Sequence, residues 1–328
     1  MTATPNTSRV SGSEVSARAV AFVAAHRERA EALGASLAEF TNDPDGFASA
    51  LTHGLAALAD PEYLEGQQRI APGIGAVHGV RWPLLAAVER GFRNETKSER
   101  PTPLLFIADR LFQERELEAR WFAFGLLERT LADETERTWQ LLRRAAREAG
   151  DWITVDSLAH PYGKGIAAEP YRWAELGQLV YSPSRWERRL VGSTIATMTH
   201  VDRGHGRDPE VARQALPLLA TLMGDADPDV QKALAWAYRS LTVVDRPATE
   251  AALRAETELA ARTADGHRAW VIRDTTSKLD PAIAEELRGR LAGIRKRAGA
   301  PATSVAADVA AGFGALPDPT TLPEPPLR

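Results

Sequence analysis

The sequence predicts an all-α protein, and three observations carry that prediction. Apolar residues recur at spacings of three and four, as in Leu117, Trp121, Phe124 and Leu127 and again in Val230, Leu234 and Tyr238, the period of a helix with one buried face. Asp followed by Pro opens segment after segment, at Asp43-Pro44, Asp60-Pro61, Asp208-Pro209, Asp227-Pro228 and Asp280-Pro281. An Asp side chain accepts from the free amides of a first helical turn, and Pro at the first helical position forfeits no hydrogen bond, so each step marks a helix start. No stretch alternates apolar and polar residues as a half-buried strand does.

The composition narrows the class. A chain of 328 residues, 44% of them hydrophobic, is long and apolar enough to bury a core. It has no cysteine, which excludes disulfides and thiolate metal sites. The run from Ala19 to Ala25 is too short to span a bilayer and no longer one follows, so a soluble cytoplasmic protein without a membrane partner is expected; a monomer is expected as well. A net charge of −4 and a pI near 6.0 exclude a strongly basic nucleic-acid binder. Any contact with DNA then rests on a local basic surface.

Taken in order, residues 1–12 are polar and unpatterned and read as a flexible tail. Ser13 reads as the N-cap of an amphipathic helix through Val20, Val23 and Ala24 that stops at Gly34. Segments 101–113 with 115–131, and 208–223 with 227–241, read as helical hairpins. Their unit length varies around that of HEAT-type repeats, roughly 40 residues. Antiparallel helix pairs of this kind stack into a curved superhelix with a concave binding face. One continuous HEAT-like domain is expected over 13–298, followed by an Ala/Pro-rich tail over 299–328 with an extended end.

The chemistry concentrates in three clusters. In Asp151-Trp152-Ile153-Thr154-Val155-Asp156, between a Gly stop at Gly150 and a break at Pro161, the four-residue spacing puts Trp152 and Asp156 on one helical face. A carboxylate beside an aromatic wall suits a reaction in which positive charge develops on a sugar. A core Trp beside a capping or ion-paired Asp fits the same residues. Trp186 and Arg189 are three apart, and Lys232, Trp236 and Arg239 line one side of a later helix. Each of these is read equally well as a packed Trp with solvated basic residues.

Together, and in this order, the three clusters resemble the alkylpurine DNA glycosylases of the AlkD type, which are HEAT-like-repeat proteins. Trp152 to Asp156 matches the family's Trp-x-Thr-Val-Asp, Trp186 to Arg189 its Trp-x-x-Arg, and Lys232 to Arg239 its Lys-x-x-x-Trp-x-x-Arg. Weaker similarity runs through Arg115 to Ala119 and His78 to Arg81, so the resemblance covers roughly residues 65–275. It implies that Asp156 is the catalytic carboxylate, that Trp152 and Trp236 flank the deoxyribose of the damaged nucleotide, and that Arg189 binds a phosphate at the lesion. Lys232, Arg239 and Arg188 are implied as further DNA contacts and Trp186 as the packed member of its pair. Arg81 stands at a DNA-facing position where the family often has a neutral polar residue. The implied partner is duplex DNA containing alkylated purines, with no metal and no cofactor. A housekeeping repair enzyme and a self-protection enzyme against a DNA-alkylating natural product would share these residues. A non-catalytic DNA-binding or scaffold relative is the alternative, favoured by the low pI and disfavoured by the intact Asp156.

Other signals carry less. His200, Asp202 and His205 read as a solvated loop rather than a metal site. Gly73-Ile74-Gly75 and Gly163-Lys164-Gly165 lack the strand that a nucleotide loop follows and read as turns. Arg295-Lys296-Arg297 reads as positive charge at a helix end.

Overall fold

Each of the five Asp-Pro steps starts a helix in the computed structural model, which describes residues 12–71, 74–201 and 207–312. The Asp side chains accept from Gly46 N, Glu62 N, Glu210 N, Asp229 N and Ala282 N at 2.8–3.0 Å. Among the described residues there are sixteen α-helices and no strand, so the fold is all-α with the pairing of a helical repeat. None of these helices is long and apolar enough to cross a membrane. The chain separates into two compact units, Met1–Glu134 and Thr135–Arg328.

The first unit holds α1 (Gly12–Ser36), α2 (Pro44–Ala56), α3 (Pro61–Ile70), α4 (Trp82–Glu95), α5 (Pro101–Leu111) and α6 (Leu117–Thr130). Its core includes Phe47, Phe92 and Phe122, whose rings pack at 5.2–5.9 Å between centroids. The expected stop at Gly34 does not occur, because α1 runs on to Ser36. A Cβ at Gly34 would lie 1.9 Å from the Val88 carbonyl oxygen of α4, and one at Gly91 would lie 2.1 Å from that of Glu31. Gly34 is therefore a point of close helix approach rather than a cap. Gly75 and Gly79, with φ of 85° and 82°, turn the connection into α4, and the buried Glu118 carboxylate holds that connection by accepting from the amides of His78, Gly79 and Val80.

The second unit holds α7 (Thr135–Glu148), α8 (Trp152–Ala168), α9 (Arg172–Gln178), α10 (Arg185–Val201), α11 (Pro209–Leu222), α12 (Pro228–Val244), α13 (Arg246–Thr263), α14 (Gly266–Thr275), α15 (Pro281–Arg290) and α16 (Val305–Gly312). Helix α10 packs against both α8 and α12, and Leu190, Val191, Ile195 and Ala196 are wholly or almost wholly buried there. The break expected at Pro161 is absent, since α8 continues through it to Ala168. Proline removes one backbone donor, and burial of Val155, Leu158, Ala159, Tyr162 and Ile166 outweighs that loss. Gly163 and Gly165 are likewise helical, not a turn. A Cβ on Gly165 would meet the Trp139 ring at 2.7 Å, so the residue is small because α7 lies against it.

Toward the C-terminus the basic run Arg295 to Arg297 lies in irregular chain beyond α15, not in a last helical turn. Lys296 Nζ donates to Gln231 Oε1 at 2.7 Å and stands 5.3 Å from the Trp270 ring, which makes it an internal tie. Within the stretch expected as a tail, Thr303 donates its amide to the Gly224 carbonyl and α16 packs on α11. Residues 1–11 and 313–328 of the two expected tails lie outside the described residues, as do Gly73, Asp202 and His205.

Candidate functional site

The site is built at the start of α8. Asp151 caps that helix, accepting from Thr154 N at 2.8 Å and Thr154 Oγ1 at 2.6 Å, which fixes the first turn. Trp152 and Asp156 then sit one turn apart, and one guanidinium meets both. Arg189 Nε donates to Asp156 Oδ1 at 3.0 Å and Nη2 to Oδ2 at 2.7 Å, while its Cζ lies 5.8 Å from the Trp152 ring centroid. The third nitrogen, Nη1, donates to the Asp229 carbonyl at 2.7 Å in the first turn of α12. Arg189 thus ties three helices together, and every one of its nitrogens has a protein partner.

A fourth participant was not among the expected residues. Ser193 Oγ donates to Asp156 Oδ1 at 2.6 Å. Its helical spacing from Arg189, four residues on α10, is the signal that could have found it. Asp156 therefore accepts three hydrogen bonds, against roughly four acceptor positions on a carboxylate. Its side chain is 21% exposed and that of Arg189 only 6%. The acid stands at the edge of the buried pair, open on one side, and the base lies behind it. A carboxylate so held is fixed in direction.

The other expected residues separate into two groups. Trp236 and Lys232 lie on α12, Trp236 half-buried and Lys232 exposed. Trp236 follows Asp229 by seven positions, which puts them on one stripe of α12 about 10 Å apart along the axis. Arg239, Arg188 and Arg81 are instead engaged with acids of the fold. Arg239 pairs with the Asp274 carboxylate and also donates to its carbonyl at 3.1 Å. Arg188 donates to Asp225 at 2.7 Å and to the Ser182 and Pro183 carbonyls at 2.8 and 3.0 Å, tying one loop to the next. Arg81, in the first unit, donates to Asp60 at 2.6 Å and lies 5.0 Å from the Tyr63 ring. Trp186 is half-buried and carries the Arg185 guanidinium at 4.5 Å. No group of three or more His, Asp or Glu side chains among the described residues is placed to hold a metal ion.

Fold and site together define a helical-repeat protein with an indole, a carboxylate and a guanidinium brought together where three helices meet. The chain belongs to the DNA alkylation repair enzyme family, whose model matches residues 51–277. That span contains every candidate residue. Among solved structures, a "Predicted DNA alkylation repair enzyme from Enterococcus faecalis" is similar, with 14% identity and a TM-score of 0.49 over 72% of this chain and 97% of that one. No curated protein matches.

Proposed function

We propose that the protein is a monofunctional DNA glycosylase that hydrolyses the N-glycosidic bond of cationic alkylated purines in duplex DNA. The observation that supports it best is the Asp156 carboxylate, part-exposed, fixed by Arg189 and Ser193 and one turn from Trp152. An alkylated purine already carries positive charge, so it departs as a neutral base without being protonated, and the acid–base pair of ordinary glycoside hydrolysis is not required. As the bond between C1′ and the purine nitrogen breaks, positive charge develops on the sugar. Asp156 stabilises that charge and orients a water whose oxygen bonds to C1′, and the water's proton passes to solvent. Trp152, with Trp236 from α12, excludes bulk water and offers its ring face to the cation. The resemblance to the AlkD-type enzymes implies a grip on the backbone without the base extrusion that most glycosylases use, so bulky adducts are compatible with the same chemistry. Lys232 supplies an exposed positive charge for the phosphate backbone.

A second reading, a DNA-binding relative without catalysis, is favoured by the pairing of Asp156 with Arg189, which offsets the anion's charge. The two readings part in a base-release assay on alkylated duplex. Asp156→Asn is expected to lower single-turnover release at least about a hundredfold, the size of one lost electrostatic contact to a transition state, with duplex affinity within about twofold. Equal release by variant and parent would remove Asp156 from the mechanism, and no release by the parent would leave only the binding reading.

A further inference from the structure

Arg189 is asked to do two things that conflict. In the free protein it supplies two of the three hydrogen bonds that orient Asp156, and on DNA the family resemblance gives it a phosphate to hold. A phosphate competes for the same guanidinium edge, because Arg binds carboxylate and phosphate through one bidentate geometry. Whenever the phosphate wins, Asp156 needs a donor that DNA cannot take.

We infer that Ser193 is that donor, a positioning residue for Asp156 that acts independently of Arg189. Three observations support the assignment, which rests on the glycosylase reading above. Its hydroxyl donates to Asp156 Oδ1 at 2.6 Å, short for a hydroxyl and typical of a charged acceptor. The residue is 0% exposed, so neither phosphate nor bulk water reaches it. Its backbone adjoins a close approach of α10 to α12, where a Cβ on the adjacent Gly192 would lie 2.8 Å from the Ala233 backbone carbon. A serine within a helix ordinarily turns its hydroxyl back to the carbonyl four residues earlier. Here it is aimed across to α8, at the same oxygen that Arg189 Nε contacts. Ser193 carries no charge, so it holds the acid without neutralising it. It touches neither sugar nor base and is not a catalytic residue.

The test is single-turnover release of base from an alkylated duplex at saturating protein, for parent, Ser193→Ala, Ser193→Thr, Asp156→Asn and the Ser193→Ala/Asp156→Asn double variant. Thermal unfolding and the affinity for unmodified duplex are measured on each. Ser193→Ala is expected to lower the release rate about 10- to 100-fold, the worth of one hydrogen bond to a charged group, with duplex affinity within about twofold. Ser193→Thr, which restores the hydroxyl, is expected to recover most of that loss. The double variant is expected to be no slower than Asp156→Asn alone, because the serine acts only through the acid. A general weakening of the fold would instead lower affinity and add to the Asp156→Asn loss. Parent-like release by Ser193→Ala, or additive losses in the double variant, overturns the role of Ser193 while leaving the glycosylase reading intact. No release by the parent on any alkylated duplex overturns both.

Discussion

Glu89 shows how one side chain can make stability depend on pH away from the site. It lies on α4 with its carboxylate facing Gly125, where a Cβ would come within 3.0 Å of Oε1. Burial raises its pKa to about 7, Arg93 opposes that rise and Glu128 adds to it. The folded value lies above the unfolded one, near 4.5. Below about pH 4.5 both states hold the proton and nothing is lost; between there and pH 7 only the unfolded state releases it, so stability falls as pH rises, and above pH 7 the folded state carries the buried charge at a constant cost. Glu89→Gln is therefore expected to unfold at higher temperature than the parent at pH 8, by an amount equivalent to roughly 1–3 kcal/mol, and to match it at pH 4. Melting curves at the two pH values check this; equal melting at pH 8 would show the carboxylate to be solvated.

At the same scale the site was only half legible. Trp152 and Asp156 could be placed on one face from their spacing alone, because both lie in a single helical turn. Arg188 and Arg189 are adjacent and chemically identical, and nothing local says which turns toward Asp156. Packing decides it: Arg189 faces α8 and Arg188 faces Asp225. Ser193 escaped for the same reason, since its partner lies 37 positions away in the chain.

For the helices, the contacts that matter most are glycines where two backbones meet. Gly192 brings α10 onto α12 and Gly34 brings α1 onto α4, and in each case an added Cβ would meet backbone atoms, at 2.8 Å and 1.9 Å. Alanine gains about 1 kcal/mol in helix propensity over glycine, but a clash with backbone costs about 1–3 kcal/mol or more because the helices must separate. Gly34→Ala and Gly192→Ala are both expected to lower the midpoint of urea unfolding, Gly34→Ala by more. Only Gly192→Ala is expected to slow base release by the folded protein, since it displaces the helix that carries Arg189 and Ser193. Equal release by the two variants would show that the α10–α12 spacing does not set the site. Pro161 and the glycines at 34, 163 and 165, which have the local character of stops and turns, are the places where interhelical packing overrides local preference.

Over the whole molecule, a net charge of −4 opposes binding to a polyanion. Arg81, Arg188 and Arg239 do not relieve this, because each is paired with an acid of the fold. Lys232 is exposed and makes no ion pair among the described residues. Lys232→Ala is expected to weaken duplex binding across sequences and to reduce the slope of log affinity against log salt by about 1, as one released counterion requires. Titrations at several salt concentrations measure it, and an unchanged slope would take Lys232 off the DNA surface.

The sequence by itself determined the helices and most of their starts, because an Asp cap, a Pro at the first position and a three-to-four apolar period act within a few residues of one another. It also determined which turn of α8 carries the acid. Only the tertiary structure decided which arginine meets that acid, that a buried serine joins it, and which glycines end a helix and which let two helices touch. Those outcomes depend on side chains from helices distant in sequence arriving at one point, and their energies exist only once the helices are packed.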